Sequence, residues 1–337
     1  MTTKATRRAR VRRNSRMMIE RFAALLVLVI VCIIFGLTSP SFLSTTNIFD
    51  VLRQVAITGV LAIGETFVIL TGGIDLSVGS LLAFTGVIAA SMQADNVNTP
   101  FTIVVTVLVG TVLGLLMGGI ITRARVPAFV VTLGGLEAFR GATLLYTNGT
   151  PISPPNGFSN AFTFIGQGFI GPVPFPVIFF LSLTLLAYLI LRRTLFGRYV
   201  YAVGGNAEAT RLSGLPVNLI TTATYGISGL CCGIGGVVLT SRLNTGDPTT
   251  ATGFELTAIA AVVIGGTSLF GGVGGRHWDA HWRHLDRRDY ERAAPAQRLI
   301  VSATSGRRGH YCPRGVPRST CQKAPPLIRT RLAEAWP

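Results

Sequence analysis

The chain has 337 residues, of which 49% are hydrophobic and only 13% charged, and its mean hydropathy is positive. Soluble domains carry about 25% charged residues, so extensive disorder and an ordinary soluble enzyme are excluded. The formal net charge of +16 belongs to the ends: residues 1–21 are net +7 and residues 276–337 net +8, against +1 for the 254 residues between. A nucleic-acid surface needs basic and aromatic side chains interleaved on one folded face, and the middle offers none. Basic residues beside membrane spans are better explained by the anionic cytoplasmic leaflet, at about 1 kcal/mol each.

In chain order, the apolar segments predict an all-α, polytopic transmembrane helix bundle of about eight spans, each needing roughly 20 mainly apolar residues. Residues 1–21 form a basic N-terminal tail, 22–275 the membrane domain, and 276–337 a basic segment of different composition. The first span runs Phe22–Leu37 and is closed by Thr38-Ser39-Pro40. Its long basic flank and the lack of a small-x-small cleavage site mark an uncleaved span rather than a signal peptide. The second runs Val55–Leu70, and Thr71-Gly72-Gly73 breaks it from a third over Ile74–Met92. Phe101–Ile121 is the fourth, where Gly114-x-x-x-Gly118 favours close helix approach, and Val126–Tyr146 is the fifth. Residues 147–172, rich in Pro, Gly, Asn and Ser, read as an extramembrane loop. Phe175–Leu191 and Leu219–Leu239 follow as the sixth and seventh spans. Ser241–Gly253 is a short polar loop, and Phe254 to about Gly272 is an eighth, less hydrophobic span.

Arginine placement supports this count. One side receives the basic tail, Arg123 and Arg125, the Arg192–Arg211 loop and Arg276; the other holds only Arg53 and Arg242. The positive-inside rule then puts the N-terminus in the cytoplasm.

Charged groups inside spans are expensive and mark function or pairing. Glu137 and Arg140, three residues apart, are expected to neutralise one another on one helix face. Asp75 opens the helix after the Gly72-Gly73 break, where an acid caps free N–H groups or contacts a solute. Glu65, Asp75, Ser77 and Asn244 are the translocation-pathway candidates. Cys32, Cys231 and Cys232 lie in apolar runs and read as inert packing; the odd count of five predicts no obligatory disulfide set. No cofactor or metal is expected. All four histidines lie beyond residue 276, and His277-x-x-x-His281 with Cys312 or Cys321 is a weak zinc pattern. A P-loop is absent: Lys4 and Lys323 are the only lysines and neither sits in Gly-x-x-x-x-Gly-Lys. Any ATP-driven function therefore needs a separate subunit.

In the Arg192–Val217 loop, Asn206 is placed to cap a short helix over Ala207–Leu212, which Gly214 ends and Pro216 prevents from continuing. On the residues alone, it is either a docking element or a surface connector.

Four stretches carry a resemblance: Ile63-Gly64-Glu65-Thr66-Phe67-Val68-Ile69-Leu70-Thr71-Gly72-Gly73-Ile74-Asp75-Leu76-Ser77-Val78-Gly79-Ser80, Val126-Pro127-Ala128-Phe129-Val130-Val131-Thr132-Leu133-Gly134, Ala202-Val203-Gly204-Gly205-Asn206, and Ile264-Gly265-Gly266-Thr267-Ser268-Leu269-Phe270-Gly271-Gly272. In that order they resemble the permease family of bacterial ABC importers for ribose, xylose, galactose and related sugars, over about residues 20–275. The resemblance implies a homodimeric, non-enzymatic channel subunit in the cytoplasmic membrane. It would receive a monosaccharide from a periplasmic or lipid-anchored binding protein and be driven by cytoplasmic ATPases. The coupling element would be Gly204, Gly205, Asn206, Ala207, Glu208, Ala209, Ser213 and Gly214. Alternative cargoes are nucleosides, autoinducer-type furanosyl compounds or branched amino acids; the alternative class is a membrane anchor with a basic tail. Family members continue past Gly274-Gly275 with further apolar spans. Here an Arg- and Pro-rich segment follows, with all three tryptophans of the chain. It reads as a cytoplasmic domain, a disordered tail or an out-of-frame translation; 28 arginines to two lysines favour the last, from a GC-rich gene, and missing spans would then leave the permease incomplete.

Overall fold

The computed structural model describes residues 26–154 and 157–272. The expected zinc pattern and the segment after Arg276 lie outside them. Eleven helices and one two-stranded hairpin make up the described part: α1 (Leu26–Thr38), α2 (Thr45–Leu70), α3 (Val78–Ala94), α4 (Thr99–Ala124), α5 (Ala128–Thr147), α6 (Asn160–Gln167), the antiparallel pair β1 (Phe169–Ile170) and β2 (Val173–Pro174), α7 (Phe175–Arg193), α8 (Leu195–Gly205), α9 (Ala207–Leu212), α10 (Val217–Leu243) and α11 (Phe254–Ile264). Each of the eight expected spans contains a helix among the described residues, though the last is helical only over Phe254–Ile264. Five of them (α2, α4, α5, α7 and α10) are long and apolar enough to cross a membrane, while α1, α3 and α11 are shorter apolar helices.

Helix α10 is the axis of the bundle and packs on α4, α2, α3 and α6. Its contact with α4 is made by glycine. A Cβ on Gly118 would meet the Thr222 backbone at 2.8 Å, and Cβ atoms on Gly110 and Gly114 would overlap the Gly229 and Tyr225 carbonyl oxygens. The expected close approach is therefore present, with α10 as the partner. The main core joins Ile57 and Leu61 of α2, Leu81 and Leu82 of α3, Phe139 of α5 and Leu239 of α10.

Polar caps move several boundaries. Ser44 Oγ accepts from the Asn47 N–H, so α2 begins ten residues before the apolar run. Asn98 caps α4 in the same way. The expected 147–172 loop contains α6, which is clamped to α10 because Ser241 Oγ accepts from the Gly166 N–H at 2.7 Å. The connections 38–54, 93–100, 147–172 and 240–253, which the span count puts on the side of Arg53 and Arg242, do meet at one end. Arg53 donates to the Gln167 carbonyl at 3.0 Å, Thr99 and Ser159 share a hydrogen bond, and Ile152 pairs with Gly246.

Two expectations fail. Residues 244–253, within the polar loop expected over Ser241–Gly253, are non-helical as expected but do not stay at one end of the bundle. Gly246 packs on Ala90 and Val87 near the end of α3, while Gly79, at its start, packs on the Ala251 carbonyl and the Glu255 carboxylate. Eleven residues of α3 span about 16 Å, so this segment descends roughly half the thickness of a bilayer core of about 30 Å before α11 begins. α11, 11 residues long, is a half-span. Second, Glu137 and Arg140 form no ion pair among the described residues. Arg140 Nη1 donates instead to the carbonyls of Pro248 (2.8 Å) and Thr250 (3.1 Å), and Glu137 is exposed. Non-helical backbone at membrane depth must have its carbonyls satisfied by protein or water, and that need outcompetes an i,i+3 pair. Cys231 and Cys232 are buried, as packing residues should be, whereas Cys32 is exposed on α1.

Candidate functional site

Two clusters are built from the residues singled out in the sequence. The first lies at the break between α2 and α3. The Asp75 carboxylate accepts from the Ser77 N–H (3.0 Å) and Ser77 Oγ (2.6 Å) through Oδ1, and from Ser228 Oγ of α10 (2.8 Å) through Oδ2. The Asp75 N–H in turn donates to Glu65 Oε1 at 3.1 Å. Glu65, Asp75, Ser77 and Ser228 are all fully buried. Glu65 Oε2 and the Tyr225 hydroxyl have no hydrogen-bond partner among the described residues. Gly73 is required here, because a Cβ would approach the Tyr225 hydroxyl at 2.5 Å. These acids form a knot that fixes α2, α3 and α10 around the break. Asn244 lies apart, exposed at the left-handed C-cap of α10.

The second cluster is the Arg-rich connection between α7 and α10. It holds two helices rather than one, since α8 precedes the capped segment. Val200 and Val203 of α8 are buried against Phe67, Leu70, Leu191 and Ile220. Asn206 Oδ1 accepts from the Ala209 N–H at 2.9 Å, and Gly214 takes φ +81, which ends α9 where the sequence places the stop. Thr210 Oγ1 donates to the Ala202 carbonyl at 2.9 Å and locks α9 onto α8. The outward face carries Glu208 and Arg211, paired at 3.1 Å, and Leu212, which is 79% exposed. A Cβ at Gly205 would meet nothing within 4 Å.

The two clusters touch through glycine backbone. A Cβ on Gly204 would overlap the Leu70 carbonyl oxygen, and one on Gly271 would lie 2.9 Å from the Gly72 nitrogen. The Gly272 N–H donates to that Leu70 carbonyl at 2.9 Å. Three motifs distant in sequence thus converge on one backbone junction. Sequence reasoning set these glycines apart without bringing them together; the signal was that each motif carries a glycine pair.

A third space is a cavity of about 790 Å³ between α2, α7 and α11, lined by Gln54, Thr58, Thr66, Thr184 and Thr257 among apolar side chains.

A bundle of apolar helices with a broken span, a half-span and a capped helical knob outside the membrane core defines an integral membrane transport subunit. The family model described as the permease component of the branched-chain amino acid transport system matches residues 47–275, and the chain belongs to that permease family. It is 43% identical over 262 residues to the ribose import permease protein of Haemophilus influenzae, covering 77% of this chain and 80% of that protein. Its identity to the ribose import permease protein of Bacillus subtilis is 41% over 255 residues, covering 76% and 79%. To the xylose transport system permease protein of Escherichia coli it is 37% over 296 residues, covering 70% and 75%. No solved structure matches the chain.

Proposed function

We propose that the chain is the permease subunit of an ABC importer for a monosaccharide of the ribose, allose and xylose class. The names of its relatives support this class over nucleosides or branched amino acids. An importer of this kind implies a cytoplasmic ATPase and an external sugar-binding protein, with covalent chemistry left to the ATPase. Two copies pair in the cytoplasmic membrane, each with its N-terminus inside, in keeping with the arginine asymmetry.

The observation that carries the reading is the build of α8 and α9. A six-residue helix is unstable alone, yet this one is capped, locked to α8 and tied through Gly204 to the end of α2. Gly204, Gly205, Asn206, Ala207, Glu208, Ala209, Ser213 and Gly214 form the knob that the ATPase grips. Glu65, Asp75 and Ser77 brace the break in the span beside the path, and Asn244 stands at the opposite end of α10.

Gly205→Arg tests this assignment. The position has open space, so the substituted chain is expected to insert and fold while losing co-purification with its ATPase. Undiminished co-purification would remove α9 as the docking element.

A further inference from the structure

On the transport reading above, we propose that an aqueous passage for a small uncharged polyhydroxy solute runs along the face shared by Glu137 and Arg140 at the centre of α5, the descending segment 247–253 and the start of α11. Glu137 is the tenth of the 20 residues of α5 and is exposed. A carboxylate facing hydrocarbon at that depth costs about 2.5–3.5 kcal/mol on insertion scales. Val130, Leu133 and Leu144 are exposed on the same stripe of α5, as Leu181 and Leu185 are on α7, so Glu137 is a single carboxylate within an otherwise apolar surface.

The neighbouring backbone points the same way. Segment 247–253 is unwound within the bundle, a state tolerated only against protein or a water-filled cavity. One side is covered: Pro248 and Ala251 are buried, and Arg140 takes the carbonyls of Pro248 and Thr250. The other side leaves Thr249 and Thr252 exposed. Unwound segments leading into half-helices are where transporters hold solutes.

The chemistry suits a neutral ligand rich in hydroxyls. Glu137 accepts hydrogen bonds, Arg140 retains donors beyond the nitrogen used for the loop carbonyls, and threonine hydroxyls do both. Asp247 and Glu255 also lie on these segments, so with Glu137 three carboxylates stand against the one guanidinium of Arg140 and anions are disfavoured, while the hydroxyls and the free Arg140 donors suit a neutral polyol. Glu137 and Arg140 are thus solute-facing, and Arg140 also positions the wall opposite.

Carbodiimide chemistry on the unaltered full chain tests this, in membranes containing its ATPase, with modified sites located by mass spectrometry. The expected result is that a water-soluble carbodiimide with glycinamide amidates Glu137 within severalfold of the rate at exposed Asp95. Buried Glu65 and Asp75 should stay unmodified. D-ribose, D-xylose or D-allose should slow the Glu137 reaction severalfold, whereas glycine betaine at equal concentration should not. Reaction only with lipid-soluble dicyclohexylcarbodiimide would put Glu137 in lipid and overturn the proposal. Reaction with neither reagent would mean that a second copy or another chain covers this face, and would overturn it equally. Amidation indifferent to all three aldoses would remove the solute from this face. Uptake of the same aldoses by the complex reads the monosaccharide assignment separately.

Discussion

Gly119 and Gly229 show how differently one residue type is used within this bundle. Gly229 of α10 lies so close to α4 that a Cβ would overlap the Gly110 carbonyl oxygen, while a Cβ on Gly119 would meet nothing within 4 Å. Gly229→Ala is therefore expected to destabilise the protein by about 1–3 kcal/mol through overpacking. Gly119→Ala, relieved of glycine's backbone freedom, is expected to be neutral or to stabilise by up to about 1 kcal/mol. Thermal unfolding of the two variants in the same detergent checks the contrast. The spacing of Gly114 and Gly118 made close packing legible from sequence, but spacing says nothing about which helix approaches. Arg140 teaches the converse. Three residues separate it from a carboxylate, yet its partners are carbonyls more than 100 positions away, because buried unpaired carbonyls are costly.

At the level of elements, the long spans were legible because membrane helices need sustained apolar runs. The caps were legible because Asn206 and Gly214 are local chemistry. The α2 start, α6 and α8 were missed, since each mixes polar residues into a run that a hydropathy reading assigns to a loop. The descent of residues 244–253 was missed for another reason: a polar stretch signals water or buried partners equally, and only the glycine contacts with α3 separate the two. The cap itself is open to measurement. Asn206→Ala removes the acceptor for the Ala209 N–H and is expected to cost α9 about 1 kcal/mol. Faster hydrogen exchange at residues 209–213, with exchange in α10 unchanged, is the expected signature.

For the whole molecule, the family match ends at residue 275, where the composition turns basic. An altered reading frame there predicts that independent sequencing across the Gly275 codon restores an apolar continuation. The Leu70 carbonyl carries a different consequence. It is one of the last four of α2, which no helix can satisfy internally, and its donor is Gly272, 202 positions along the chain. Drawing the strand after α11 away would strand that oxygen in a dry interior at about 1–3 kcal/mol. That is the typical size of a free energy linking two remote sites, roughly a 5–150-fold change in populations. If α9 is where an ATPase docks, as proposed, a pull on it would meet a latch whose strength is of the order that one partner protein can overcome.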